Sequence, residues 1–268
     1  RFAHITLSQL SIGLLALLAL GTGGQAQAQA TIDQNKALAG SVTPGDLPGF
    51  PVTLSVPGAY KLTGNLMVPA NLSGVVVTAA GVTLDLNGFS ISGPISCTIS
   101  NGQTLTVTCP TGNVSSTGVD FQATGASLRN GNLRGFWIGA SFAGGGAIDA
   151  VFSEHNRYYG VYAHPVFAGA RTLVTNVRSS TNGGFGFLLS EAMVQGCSAA
   201  FNAFDGIAGT DLSVLDSSAI RNGRYGFYNE AGASSSMTVG RSVAQKNVVS
   251  DFFNVLSIGG NVAGTQLF

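Results

Sequence analysis

Short apolar runs, each ended by Asn or Gly, fill the second half of the chain, and they repeat. Aligning the sequence with itself from residue 147 onward gives five copies, anchored on Asn156, Asn182, Asn202, Asn222 and Asn247. Successive anchors are 26, 20, 20 and 25 residues apart. In the first four copies a Gly follows the Asn by four residues, and an apolar residue comes next. A period of this length indicates a solenoid in which each repeat forms one coil.

Two further columns agree in all five copies. Eight residues before each anchor stands an aliphatic residue: Ile148, Val174, Val194, Val214 and Val239. Three residues before each anchor stands a small residue: Ser153, Ser179, Ala199, Ala219 and Ala244. Equivalent residues of neighbouring coils lie about 4.8 Å apart, so a buried column has to be consistently apolar or consistently small. The pattern predicts parallel strands with these two columns facing inward.

The Asn column predicts an asparagine ladder. Asn adopts a left-handed bend at modest cost, and its side-chain amide can hydrogen-bond to the Asn above and below it. The Gly four residues later would then allow a second bend. Residues 62–77, 81–89 and 125–136 have the same strand–turn–strand character with weaker anchors, and we interpret them as the first coils.

The chain before these coils divides into two parts. Residues 31–57 predict a short capping helix, with Thr31 as its N-cap and Gly40 at its end, followed by an extended connector with four prolines. We expect the β-helix itself to occupy residues 58–268, with a hairpin inserted near residues 94–117.

Residues 1–30 have the three parts of a signal peptide. Arg1 and His4 precede the apolar run from Ile12 to Leu20, and small-x-small sites follow. The run is shorter than the ~20 residues that span a membrane as a helix, so we expect cleavage after Ala28 or Ala30. The alternative is an N-terminal membrane anchor.

Three groups of residues carry a family resemblance: residues 60–66 (YKLTGNL), residues 81–89 (GVTLDLNGF), and the Asn-x-x-x-Gly copies. Together they resemble bacterial exported right-handed parallel β-helix repeat proteins of the pectin-lyase-like superfamily. The resemblance implies an all-β fold, a right-handed parallel β-helix with a short N-terminal capping helix. That superfamily includes pectate lyases, polygalacturonases and alginate epimerases. The paired carboxylates expected of a polygalacturonase and the Asp-Pro-His-Asp element of an epimerase are absent from this sequence.

Composition narrows the range of partners. Asp, Glu, Lys and Arg make up 9% of the chain, against a usual share of about 25%, and twelve basic residues balance twelve acidic ones. A chain without a basic patch does not attract a phosphate backbone, so we expect no nucleic-acid partner. We also expect no membrane span after leader cleavage.

Cys97 and Cys109 flank an alternating segment centred on Asn-Gly, which predicts a hairpin. In an exported protein such a pair predicts a disulfide, the alternative being two unpaired thiols. Cys197 falls in a small-residue column, and we interpret it as a core residue.

Outside the leader only His155 and His164 remain as histidines, so we expect no metal site and no cofactor.

The densest polar cluster, residues 153–159, contains our first site candidates: Glu154 and His155 as acid and base, with Arg157, Tyr158 and Tyr159 beside them. The alternative is that Glu154 and His155 are merely solvated.

Aromatic and charged residues recur just after each Asn, and they predict a line along one edge of the coil: Tyr158, Tyr159, Phe185, Phe204, Asp205, Arg224 and Tyr225. From these sets we choose His155, Arg157, Tyr158, Tyr159, Arg224 and Tyr225 as substrate-binding residues. The rings of the line suit a weakly charged polysaccharide, unless they pack beneath neighbouring turns.

Two functions compete. The first is an exported protein, secreted, periplasmic or on the cell surface, whose rigid face binds a polysaccharide or cell-surface glycan in a binding or structural role. The alternative is a lyase or epimerase acting on uronate-containing glycans, for which only scattered bases such as Arg157, Arg178, Arg224 and Arg241 are available. The apolar last strand near residues 256–268 also predicts possible oligomers through the coil ends.

Overall fold

The computed structural model describes residues 29–101, 105–110, 115–167, 169–231 and 235–264. These residues form about nine turns of a right-handed parallel β-helix, which confirms the predicted fold class. Nearly all of the predicted leader lies outside the described residues, as do residues 265–268 of the predicted last strand. No helix within the described ranges is both long and apolar enough to cross a membrane.

The single helix of the described residues is α1 (Gln34–Ala39). In chain order the strands are β1 (Ala30–Ile32), β2 (Val52–Leu54), β3 (Gly58–Leu62), β4 (Leu66–Met67), β5 (Val75–Val77), β6 (Val82–Asp85), β7 (Ser90–Ser92), β8 (Thr98–Asn101), β9 (Leu105–Thr108), β10 (Thr117–Phe121), β11 (Ala126–Arg134), β12 (Ile138–Phe142), β13 (Gly146–Glu154), β14 (Tyr159–Ala163), β15 (Thr172–Thr175), β16 (Arg178–Ser180), β17 (Phe185–Gln195), β18 (Ser198–Ala200), β19 (Ile207–Leu215), β20 (Ser218–Ile220), β21 (Tyr225–Asn229), β22 (Met237–Gly240), β23 (Val243–Gln245), β24 (Ser250–Phe253), β25 (Leu256–Ser257) and β26 (Val262–Ala263).

Parallel pairing arranges these strands into three faces, named here A, B and C. Face A contains β1, β3, β6, β11, β13, β15, β17, β19, β22 and β25. Face B contains β4, β7, β11, β13, β16, β18, β20, β23 and β26. Face C contains β2, β5, β10, β12, β14, β17, β19, β21 and β24. The four longest strands bend and contribute to two faces each, and β8 and β9 form a separate antiparallel hairpin.

Aliphatic and aromatic columns fill the space between the three faces. One column of face C consists of Val161, Phe187, Ile207 and Phe227, all fully buried. Stacking identical positions at the spacing of neighbouring strands brings like side chains into contact, as the Phe227 and Phe252 rings show at 5.1 Å. The repeat thus turns a short apolar motif into a continuous core.

The N-terminal helix begins two residues later than the sequence predicted. Thr31 lies in β1 and pairs with Lys61 of β3, whereas Asp33 is the N-cap and accepts a hydrogen bond from the Lys36 backbone N–H at 2.8 Å. The prediction of Thr31 was wrong because strand pairing extends the chain up to Ile32. Gly40 ends the helix as predicted, with φ of 72°.

The five anchor asparagines form one buried, hydrogen-bonded column. From Asn182 onward, the Oδ1 atom of each anchor accepts the backbone N–H of the anchor before it, with N to O distances of 3.0 Å for Asn156 to Asn182 and 3.1 Å for Asn182 to Asn202. The side-chain Nδ2 of Asn182 donates to the same Oδ1 of Asn202 at 2.9 Å. Asn222 and Asn247 continue the pattern. All five residues are at most 2% exposed, so these bonds replace water for every amide in the column.

The bend beside this column is built differently from the prediction. None of the five anchors has a positive φ; the left-handed position is the residue before each, namely His155, Thr181, Phe201, Arg221 and Lys246, with φ between 54° and 59°. In the first four copies, the Gly four residues after the anchor also has no positive φ; it lies in a strand or, at Gly206, directly before one. It is small because a Cβ on Gly186 would lie 2.7 Å from the Asn202 Nδ2. The Gly column therefore gives the ladder its space and makes no bend.

Replacing Asn202 with Ala should destabilise the protein by about 1–3 kcal/mol. The change removes the acceptor for Asn182 and the donor to Asn222 inside a buried column. Denaturant unfolding measures the loss. The control is Asn35→Ala on the exposed side of α1, where Ala is the better helix former. Equal stabilities for the two variants would contradict a structural role for the column.

Replacing Gly186 with Ala should destabilise by about 1–3 kcal/mol, the usual cost of overpacking. Its Cβ would meet the Gly206 carbonyl oxygen at 2.6 Å, which rigid backbone cannot avoid. The matched control is Gly64→Ala, whose Cβ would meet only the Asp33 Cβ, at 3.8 Å. Thermal unfolding of both variants compares the sites, and a Gly186→Ala protein as stable as Gly64→Ala would show that the ladder has spare room.

Candidate functional site

Three columns of face C lie outside the core. In the anchored coils they stand two, three and six residues after the Asn. The first column is Trp137, Tyr158, Gly184, Phe204 and Arg224. The second is Ile138, Tyr159, Phe185, Asp205 and Tyr225. The third is Ser141, Tyr162, Leu188, Ala208, Tyr228 and Phe253. We call the surface formed by these three columns the aromatic face.

The rings of the aromatic face contact one another across coils. Trp137 stacks on Tyr158 with centroids 5.3 Å apart, and Tyr159 stacks on Phe185 at 5.6 Å. Phe204 meets Phe185 edge to face at 5.5 Å and is 39% exposed. These contacts fix the ring orientations at little further entropic cost. The first half of the face is therefore a rigid surface of partly exposed rings packed on the buried Phe185.

A second ring group lies in the two coils that follow Phe204. The Tyr225 ring stacks on Tyr228 at 4.7 Å and on Phe253 at 4.8 Å. Between the two groups lies the Arg224 guanidinium, 5.8 Å from the Phe185 centroid and 5.0 Å from the Tyr228 centroid. Arginine stacks favourably on aromatic rings. Arg224 thus joins the two groups into one surface.

Asp205 holds Arg224 in this position. Its carboxylate is fully buried and accepts hydrogen bonds from Arg224 Nε at 2.7 Å, from Arg224 Nη2, and from the Tyr225 backbone N–H at 3.0 Å. The ion pair raises the pKa of Arg224 further above its usual range. A buried bidentate pair orients a guanidinium more strictly than a surface contact does. In this coil the second column therefore carries Asp205, the ion-pair partner of Arg224, whereas Tyr159, Phe185 and Tyr225 place rings at the same position in other coils.

Two further titratable groups, one on the face and one beside it, have shifted pKa values. Burial raises the pKa of the Tyr159 hydroxyl to about 12, with smaller contributions from Tyr158, Tyr162 and Glu230. The pKa of the Glu230 carboxyl, at the end of β21, is also raised. Loss of hydration is the main cause and the Asp205 charge adds to it, while Arg224 opposes the shift. Tyr159 therefore stays neutral, and Glu230 holds its proton to a higher pH than an ordinary Glu.

The structure brings four of the six predicted substrate-binding residues onto the aromatic face: Tyr158, Tyr159, Arg224 and Tyr225. Arg157 lies at its corner with the guanidinium carbon 5.0 Å from the Trp137 centroid, and its buried Nη1 has no hydrogen-bond partner. The structure places His155 elsewhere. Its Nδ1 lies 2.7 Å from the Cys97 carbonyl oxygen, so it contacts the hairpin.

The inserted hairpin borders the corner of the aromatic face. The predicted disulfide between Cys97 and Cys109 is present, and it closes the open end of the hairpin formed by β8 and β9. The Cys97 Sγ lies 3.4 Å from the Asn156 carbonyl oxygen. The Cys109 Sγ packs so closely on Gly183 that a Cβ at that position would clash with it. The cross-link therefore holds the hairpin against the turn that carries Arg157. Cys197 is buried and unpaired as predicted, and burial raises its pKa to about 11.

Sequence reasoning missed four rings and one carboxylate of this region: Trp137, Tyr162, Tyr228, Phe253 and Glu230. A signal for three of them was available. Tyr162, Tyr228 and Phe253 each lie six residues after an anchor Asn, so they share a column of the repeat alignment. Trp137 precedes the first aligned anchor and Glu230 follows its strand, so neither belonged to a column that could be compared.

A separate groove of about 680 Å³ crosses face A. The exposed side chains of Leu173 and Met193 form its apolar part, and Arg171, Glu191 and Asp211 form a charged rim. The groove carries no aromatic ring. Within the described ranges, no three or more His, Cys, Asp or Glu residues are grouped closely enough to hold a metal ion.

No known sequence family and no curated protein sequence matches the chain, but solved structures do. The Dettilon tailspike protein aligns with a TM-score of 0.52 and 15% identity, over 73% of this chain and 41% of its own. The pectate lyase Pel9A gives 0.49 and 19%, over 88% of this chain and 67% of its own. A mutant of the periplasmic alginate epimerase AlgG gives 0.40 and 14%, over 79% and 69%.

The chain has the pectin-lyase-like fold. The sequence resemblance is confirmed at this level. At these identities the likeness concerns the pectin-lyase-like fold alone, since one fold supports many activities. The chain also spans less than half of the tailspike's length. Activity therefore has to be argued from the aromatic face.

The Glu230→Gln variant should melt at a higher temperature than the wild type at pH 7.5, by a small margin. The carboxyl pKa is higher in the folded state than in the unfolded state. The folded state therefore loses stability as the pH rises from the unfolded-state pKa to the folded-state pKa. Glutamine cannot ionise and avoids that loss. At pH 3, below the ordinary value of 4.5, both proteins are uncharged at this position and their difference should disappear. A variant that melts below the wild type at pH 7.5 would contradict the shift.

Proposed function

We propose that this protein binds a polysaccharide along the aromatic face and acts outside the cytoplasm. The observation that carries the proposal is the run of partly exposed rings, fixed by mutual stacking and by Arg224, along one side of a rigid coil. Flat rings bind the apolar faces of sugar rings, and fixed rings lose little entropy on binding.

The geometry of the coil suits a chain-like ligand. Neighbouring coils repeat at about 4.8 Å, a spacing comparable to the length of one pyranose unit. In the first two columns, four of the five coils from Trp137 to Tyr225 carry a ring that is at least partly exposed, and the remaining coil carries Phe185, which is 8% exposed. A polymer running along the β-helix axis would therefore meet rings in most of the coils that it crosses, which is how a repeating protein binds a repeating ligand.

The disulfide supports a site of action outside the cytoplasm. Disulfides persist in secreted and periplasmic proteins and are rare in a reducing cytosol. The Cys97–Cys109 bond closes the hairpin that borders the aromatic face. The proposed location, secreted, periplasmic or cell-surface, also agrees with the leader that residues 1–30 predict.

Replacing Tyr158 or Tyr225 with Ala should weaken glycan binding by about 0.5–1.5 kcal/mol each, the range of an aromatic contact beyond its buried area. Glycan arrays followed by isothermal titration calorimetry measure the effect. The control is Leu173→Ala in the groove of face A, which removes an exposed apolar side chain of another face. We expect this control to bind like the wild type.

Two results would change the conclusion. Binding that depends on Leu173 and not on the tyrosines would move the site to the groove of face A. New reducing ends, or ultraviolet absorbance from unsaturated uronates, on incubation with pectate or alginate would favour the lyase or epimerase alternative. We expect binding without turnover.

A further inference from the structure

The charges of the aromatic face restrict which polysaccharide it can hold. Among the described residues, its three columns contain one cation, Arg224, and one carboxylate, Asp205, and a second carboxylate, Glu230, lies just beyond the third column. Asp205 occupies Nε and Nη2 of Arg224, and the carboxylate itself is fully buried. The positive charge of Arg224 is therefore already balanced by the buried carboxylate of Asp205. A ligand that contacts the face meets rings, a paired guanidinium and an exposed carboxyl group.

The other cations near the face do not change this balance. The Arg157 guanidinium lies against Trp137 at the corner, and its Nη1 is buried. Arg221 lies on the bend before the Asn column, and its guanidinium carbon is 5.7 Å from the Phe201 centroid. Lys246 occupies the same bend position one coil later. These three residues all precede the first column of the face, whereas Glu230 follows the third.

We propose that the aromatic face selects uncharged polysaccharides and rejects uronate polymers. The inference rests on the proposed function and names its ligand class. A uronate polymer carries one carboxylate per sugar and needs a cation for each that it brings into contact, because like charges at short range repel. The face has no unpaired cation in its interior, and Glu230 repels an anion at its edge. Neutral sugars need only the rings and hydrogen-bonding groups.

Polygalacturonate and its fully methyl-esterified form test the proposal, because the two polymers share a backbone and differ in charge. The wild-type protein should bind the ester roughly five- to tenfold more tightly at low salt, the effect of one partly screened carboxylate repulsion. Raising the salt concentration should reduce the difference. Alginate and a neutral β-glucan extend the comparison, and the glucan should bind more tightly.

Variants locate the source of the selection. Glu230→Lys should raise the affinity for polygalacturonate several-fold and leave that for the ester within about twofold, because only the charge at the edge has changed. The control Glu191→Lys makes the same charge change in the groove on face A and should alter neither affinity. The His164→Gln variant, which removes an imidazole stacked on Tyr162, should keep the same preference.

Two outcomes would overturn the proposal, and they differ. If polygalacturonate binds as tightly as its ester or more tightly, the charge argument fails while the face remains a glycan-binding surface. If none of the four polymers binds, and a glycan array is also blank, the proposed function fails and the ligand class fails with it. Tighter binding of the neutral polymers than of the uronate polymers, weakened in Tyr158→Ala, would support both.

Discussion

The column of buried asparagine amides determines much of the rest of this structure. From Asn182 onward each amide accepts from the anchor before it, and Asn182, Asn202 and Asn222 donate to the anchor after them, so the turn between faces B and C has the same hydrogen-bonded form in the five anchored coils. An unpaired buried amide costs more than the bond contributes when made, which prevents a coil from slipping out of register. The residues directly after the turn therefore stack in columns, and the aromatic face is a consequence of that stacking.

Sequence and structure agree where a feature depends on stacking and differ where it depends on local backbone. The Asn spacing predicted the repeat because every copy has to supply the same amide. It did not show that His155 and Arg221, residues of unlike chemistry, hold the left-handed positions. The sequence also suggested a bend at the Gly column, whose small size is instead set by an asparagine in the neighbouring coil. The contact lies between residues 16 positions apart, for example Gly186 and Asn202, and no local turn rule applies to it.

The candidate site was predictable in outline for the same reason. Tyr158, Tyr159 and Tyr225 follow their anchors at fixed distances, so a column alignment places them together. The pairing of Asp205 with Arg224 was not predictable, because 19 residues separate the two and only the register of β19 on β21 brings them into contact. An aspartate in a column of rings has the appearance of a variable surface position. In the structure it is a fully buried residue that orients the central guanidinium.

The asparagine column has a direction. Every Oδ1 in it accepts from the N-terminal side, beginning with the Phe136 N–H on Asn156. From Asn182 to Asn222, one Nδ2 hydrogen goes to the next anchor and the other goes back to a carbonyl of the preceding coil. At Asn247 both donors go to Oδ1 of Asp251, four residues further along the same coil. An ionised carboxylate accepts and has no hydrogen to pass on. Within the part of the chain that the structure describes, the amide chain therefore ends on Asp251, a residue that differs from asparagine only by a carboxylate in place of the amide.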